Sequence, residues 1–128
     1  MQMLLDTNSY TELARGSASA LSKVQRATHI FLTYVTLGEL RAGFAVGSKT
    51  QQNEKVLQKF FASARVKVIF PDGETTQYYA RIYAQLRKAG TPIPANDLWI
   101  AALSMQHGIP LYTFDAHFKN VESIDLLE

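Results

Sequence analysis

Met3-Leu4-Leu5-Asp6-Thr7-Asn8 opens the chain with a short apolar run, an acid that closes it and two small polar groups. The run reads as a strand and the acid as its end. The same figure recurs further along. Ile30-Phe31-Leu32-Thr33-Tyr34-Val35 is followed shortly by Glu39, and Leu111-Tyr112-Thr113-Phe114 is closed by Asp115. Between them Asp97 opens the amphipathic stretch Leu98 to Gln106. Apolar runs alternating with helical periodicity imply a parallel sheet with helices on both faces.

The spacing predicts strand one at Met3 to Leu5, then a short helix with Ser9 and Glu12 as a capping box and Gly16 as its stop. Strand two is expected at Ile30 to Tyr34, followed by helices at Leu37 to Phe44 and at Glu54 to Ala64. The second of these sets Val56, Leu57, Phe60, Phe61 and Ala64 on one face. Strand three covers Val66 to Phe70 and stops at Pro71-Asp72-Gly73. Tyr79, Ile82, Tyr83 and Leu86 give core spacing to a helix from Thr75 to Lys88. Asn96 is placed as the N-cap of a helix to Gln106, ended by Gly108 and Pro110. Strand four is expected at Leu111 to Phe114 and a fifth near Ser123 to Leu127.

The 128 residues fit one domain over 1–128 with a core that needs no staples. There is no cysteine, which excludes disulfides and thiolate metal sites. The N-terminus has no positive segment followed by a long apolar one, so no signal peptide is expected. No apolar run reaches the length of a membrane span, and a cytoplasmic location is the simplest expectation. Thirteen Lys and Arg stand against eleven Asp and Glu. Setting aside Asp6, Glu39, Asp97 and Asp115 leaves a clearly basic remainder, which suits a polyanion held over an acidic pocket as well as an ordinary mixed surface.

Taken singly, each of those acids has a structural explanation. Asp6 suits an Asx-turn, Glu39 completes a capping box with Thr36, Asp97 favours a helix N-terminus, and Asp115 caps a turn. Jointly they point elsewhere. In open parallel sheets the functional crevice lies beyond the carboxyl ends of the strands, so acids far apart in sequence meet there. A group of carboxylates needs a cation, and a hard divalent ion such as Mg²⁺ or Mn²⁺ is the natural one. Thr7, Asn8 and Thr113 set small polar groups beside the acids, as partners that orient ligands should be. Arg15 and Arg41 are candidates for phosphate contact or plain solvated residues. His29, His107 and His117 share no ligand spacing, which argues against a histidine zinc site. Trp99 and Tyr78-Tyr79 suit base stacking, but a core or dimer-interface role fits such bulky helix residues better.

The chain resembles PIN-domain ribonucleases, and more closely the VapC-type toxins of bacterial and archaeal toxin–antitoxin pairs. The resemblance rests on Leu5-Asp6-Thr7-Asn8, Glu39-Leu40-Arg41-Ala42-Gly43, Asn96-Asp97-Leu98-Trp99-Ile100-Ala101-Ala102 and Thr113-Phe114-Asp115-Ala116-His117-Phe118, in this order. It implies a three-layer α/β/α sandwich around a five-stranded parallel sheet of order 3-2-1-4-5. Asp6, Glu39 and Asp115 would come from three adjacent strand ends and Asp97 from the start of its helix. By the same resemblance these four match the metal-binding acids, with Asn8 and Thr113 in support. The implied activity is hydrolysis of RNA, with transfer or ribosomal RNA the leading substrate, by a water activated by Mg²⁺ or Mn²⁺. A homodimer and an antitoxin partner are implied as well. Rival readings are a PIN nuclease of RNA processing without an antitoxin, and an idle RNA-binding module. A receiver-type phosphoacceptor is a further rival, but it lacks a well-placed lysine.

Overall fold

The computed structural model describes residues 1–127; the final residue of the expected 1–128 domain lies outside the described residues. The chain runs β1 (Gln2–Leu5), α1 (Thr7–Ala14), α2 (Ala18–Gln25), β2 (His29–Thr33), α3 (Tyr34–Val46) and α4 (Thr50–Phe61). It continues through β3 (Val66–Ile69), α5 (Thr75–Ala89), α6 (Ala95–His107), β4 (Leu111–Tyr112), a 3₁₀ turn (Ala116–Asn120) and β5 (Leu126–Leu127). The sheet order is β3-β2-β1-β4-β5, with every neighbouring pair parallel. This is the expected architecture.

Strand β1 lies at the centre, with Leu5 aligned to Leu32 of β2 on one side and to Tyr112 of β4 on the other. A central parallel strand is covered on both faces, which is why it reads as an unbroken apolar run. Met3 and Leu5 point into a core shared with Ile30, Leu32, Leu40 and Leu57. Leu4 points the opposite way, into a core with Ile82, Leu86, Ile100, Leu111 and Phe118. Met3, Leu4 and Leu5 are completely buried, and each contributes about 1.5–3 kcal/mol of burial. Connections leave β1 toward β2 on one side, while β4 pairs on the other, so the crevice opens beyond Leu5 and Tyr112.

Helices α5 and α6 end on Gly90 (φ 73°) and Gly108 (φ 63°), the left-handed caps that a residue without Cβ adopts freely. Several local expectations are corrected. Helix α1 starts at Thr7 with Asp6 as its cap, and Ser9, expected to cap, is instead buried inside the first turn. Helix α2 was not expected at all. It buries only Ala20 and Val24, four residues apart, while its largest apolar residue, Leu21, stays exposed, so its apolar face is short. Helix α4 begins at Thr50 rather than Glu54, because its polar first turn, Thr50-Gln51-Gln52-Asn53, carries no apolar periodicity. It ends at Phe61, before Ala64. Pro94, not Asn96, holds the N-cap position of α6, where its extended backbone leads into Ala95. Strand β4 stops at Tyr112, since β1 ends at Leu5 and offers nothing further to pair with. No helix among the described residues is long and apolar enough to cross a membrane.

Candidate active site

Asp6 stands at the end of the central strand and serves two purposes. Its Oδ1 accepts from the Ser9 amide at 2.9 Å, capping α1. Its Oδ2 accepts from the Thr113 hydroxyl. Only 5% of Asp6 is exposed, so these bonds replace the water that its carboxylate loses. Thr113 also accepts from the Asp115 amide at 2.9 Å, so one hydroxyl ties the ends of β1 and β4 together. Asp115 Oδ1 in turn accepts from the His117 amide at 2.9 Å and caps the 3₁₀ turn. Behind this knot the Ser9 hydroxyl donates to the Tyr112 carbonyl at 2.6 Å, fixing α1 against β4.

Asp97 is the third residue of α6, where the helix dipole favours negative charge. Glu39 departs from expectation. It does not come from a strand end but from the second turn of α3, which begins directly after β2. The cap of α3 is Thr33, whose hydroxyl accepts from the Thr36 amide at 3.1 Å, so the capping box between Thr36 and Glu39 does not form. Glu39 is instead steered by neighbours of the other acids. The Thr7 hydroxyl, next to Asp6, donates to Oε1 at 2.7 Å. The Asn96 amide, next to Asp97, donates to Oε2 at 3.4 Å. Pro94 at the cap position leaves the Asn96 side chain available for this contact. Thr7, Asn96 and Thr113 thus link the surroundings of all four acids, whereas Asn8 lies exposed in the first turn of α1.

The electrostatics agree with convergence. Burial raises the Asp97 pKa from its ordinary value, and the charges of Asp115, Glu39 and Asp6 add to the rise, with His117 opposing. Among the described residues, no Lys or Arg forms a salt bridge to any of the four acids. The two arginines weighed as phosphate contacts are engaged elsewhere, Arg15 with Glu12 at 3.2 Å and Arg41 in a two-point pair with Glu54 at 3.0 Å. A groove of 470 Å³ runs from Glu39 and Asn96 along Tyr34, Val35, Gly38 and Arg41.

One residue set aside on sequence grounds enters the site. His117 Nδ1 lies 3.1 Å from Asp115 Oδ1 and 3.8 Å from Asp97 Oδ2. Ligand atoms of Asp97, Asp115 and His117 all fall within 4.8 Å of one another. The signal for it was the Asp115-Ala116-His117 spacing, which brings the imidazole back over the carboxylate only if a tight turn follows. Carboxylate oxygens that no Lys or Arg pairs with among the described residues, one with its pKa raised by burial and by the neighbouring acids, form a donor set that fits a hard divalent cation.

The PIN domain family pattern matches residues 3–124. The chain is similar to ribonuclease VapC5 of Mycobacterium tuberculosis, 27% identical over 98% of this chain and 91% of that protein. It is 32% identical to the plasmid stability protein StbB of Pseudomonas syringae, over 88% of this chain and 87% of that one. Among solved structures it superposes on a chain of VapBC2 from Rickettsia felis, a complex bound to a DNA fragment from its promoter. The TM-score there is 0.88 at 25% identity, covering 99% of this chain and 98% of the other.

Proposed function

The chain belongs to the PIN domain family, and from that premise we propose that it is a metal-dependent endoribonuclease acting as the toxin of a toxin–antitoxin pair. The observation that carries the reading is the pair Asp97 and Asp115 within ligand distance of each other and of His117, with Asp6 tied to Asp115 through Thr113 and Glu39 held by Thr7 and Asn96, and no Lys or Arg salt bridge to these acids among the described residues. Relatives named as ribonucleases and neighbours solved as VapBC complexes support it.

Asp6, Glu39, Asp97 and Asp115 would hold one or two Mg²⁺ or Mn²⁺ ions in this reading. An ion held there would supply Lewis-acid chemistry for hydrolysis of the phosphodiester. The chain's own contribution is orientation. Thr113 fixes Asp6 and Asp115 relative to each other, while Thr7 and Asn96 aim Glu39 at the same crevice. Such partners of ligating groups set the geometry that a catalytic site needs. With water as the nucleophile, the products carry 5′-phosphate and 3′-hydroxyl ends. Transfer or ribosomal RNA is the proposed substrate, reached along the groove beside Glu39. The domain acts in the cytoplasm as a homodimer. An antitoxin silences it by presenting a cationic side chain, such as Arg, to the acids through charge-assisted hydrogen bonds.

The test is cleavage of RNA by the purified chain in Mg²⁺, Mn²⁺ or EDTA, alongside Asp6→Asn and Asp97→Asn. Metal-dependent cutting that both variants lose by more than about a hundredfold is expected, since even outer partners of metal ligands are worth 10–100-fold. Cutting that persists in EDTA, or products ending in 2′,3′-cyclic phosphates, would refute the mechanism. Growth arrest on expression, relieved by a neighbouring small protein, separates a toxin from an RNA-processing nuclease.

A further inference from the structure

We propose that His117 is a nitrogen ligand of the acidic site and tilts its choice of ion toward Mn²⁺ over Mg²⁺. The inference rests on the metal-dependent reading above. It begins with a single atom, Nδ1, that faces carboxylates from two different elements, Asp115 after β4 and Asp97 in α6.

The spacing suits shared coordination. An octahedral ion with bonds of about 2.1 Å has adjacent ligand atoms about 3 Å apart and opposite ones about 4.2 Å apart. The 3.1 Å from Nδ1 to Asp115 matches an adjacent pair, and the 3.8 Å to Asp97 falls between adjacent and opposite. All three groups stay within 4.8 Å, so one ion reaches them together after small side-chain rotations. The imidazole is 54% exposed and free to make such a rotation. Its backbone is not free, because the His117 amide is held by Asp115 Oδ1. The turn therefore keeps the His117 backbone beside the acids while the ring rotates.

A mere counter-ion role would leave the site with oxygen donors alone, the set that Mg²⁺ accepts. An imidazole nitrogen changes the preference. Mg²⁺ gains little from it, whereas transition ions accept imidazole readily and Mn²⁺ takes mixed oxygen and nitrogen donors. The two roles therefore differ in measurable ion selectivity.

The experiment is Mn²⁺ binding to the full chain, followed by the loss of free-ion signal in electron paramagnetic resonance. Pulsed measurement of ¹⁴N coupling to the bound ion identifies the nitrogen, with Mg²⁺ as competitor. His117→Gln keeps a polar side chain of similar reach without the imidazole, and His117→Ala removes both; each is checked for wild-type circular dichroism. Expected are ¹⁴N coupling in wild type, its loss in both variants, and Mn²⁺ affinity lowered about tenfold with Mg²⁺ affinity changed far less. Bound Mn²⁺ without nitrogen coupling, or equal Mn²⁺ affinity in wild type and His117→Gln, overturns the role of His117 and leaves the four-acid nuclease standing. Wild-type protein that binds neither ion overturns both.

Discussion

Replacing Thr113 by valine removes one hydroxyl and breaks two bonds at once. Valine has nearly the shape of threonine, so packing is retained and the loss is polar. The Asp6 carboxylate, 5% exposed, loses its bond on Oδ2, and the Asp115 amide loses its acceptor. A hydrogen bond to a charged group contributes about 1.5–3 kcal/mol and a neutral one about 1 kcal/mol. Thr113 and Asp115 are only half-buried, so water restores part of this. The expected net loss is about 2 kcal/mol. For a chain of this length that corresponds to a fall in Tm of about 8 °C. The measurement is denaturant unfolding in EDTA, where the midpoint should move without a change in slope. Thr113→Ser, which keeps the hydroxyl, should hold most of the stability. In the same Thr113→Val protein, Mn²⁺ affinity should fall about 10–100-fold, because the hydroxyl orients two of the acids. A Thr113→Val protein within about 0.5 kcal/mol of wild type, or a serine variant as weak as the valine one, would refute the bridging role.

Other perturbations follow from single contacts. Asp97 has a raised pKa in the fold, so the folded chain binds more protons than the unfolded chain once pH exceeds the unfolded value. Its contribution to stability in metal-free buffer therefore worsens as pH rises from about 4 through the folded pKa. Asp97→Asn should gain on wild type over that window, and a pH-independent difference between the two would contradict the assignment. Ser9→Ala strips the Tyr112 carbonyl of its buried donor and should lower unfolding free energy by about 1–3 kcal/mol; an unchanged denaturation midpoint would show that the bond contributes nothing. Gly90→Ala introduces a Cβ at φ 73°, with no neighbour within 4 Å to clash. The loss should be backbone strain alone, about 1–2 kcal/mol by thermal melting, and a more stable variant would count against a left-handed cap.

The sheet was legible from the chain by itself because its signals are local. Met3-Leu4-Leu5 is apolar without alternation, since a central parallel strand buries both faces, and Gly90 and Gly108 mark helix ends that only a residue without Cβ adopts easily. The four acids stood out for the same reason, each beside a recognisable apolar run or at a helix start. What the sequence leaves open is which side chain is spent on which partner. Asn96 and Ser9 carry cap chemistry, yet Pro94 and Asp6 occupy those caps and release them, Asn96 to steer Glu39 and Ser9 to hold β4. His117 shares no ligand spacing with another histidine, and only the turn after Asp115 brings its nitrogen against two carboxylates. Periodicity reports which face of an element is buried. A hydrogen bond or a shared ion between residues a hundred positions apart depends on where the elements pack, and only the tertiary structure decides that.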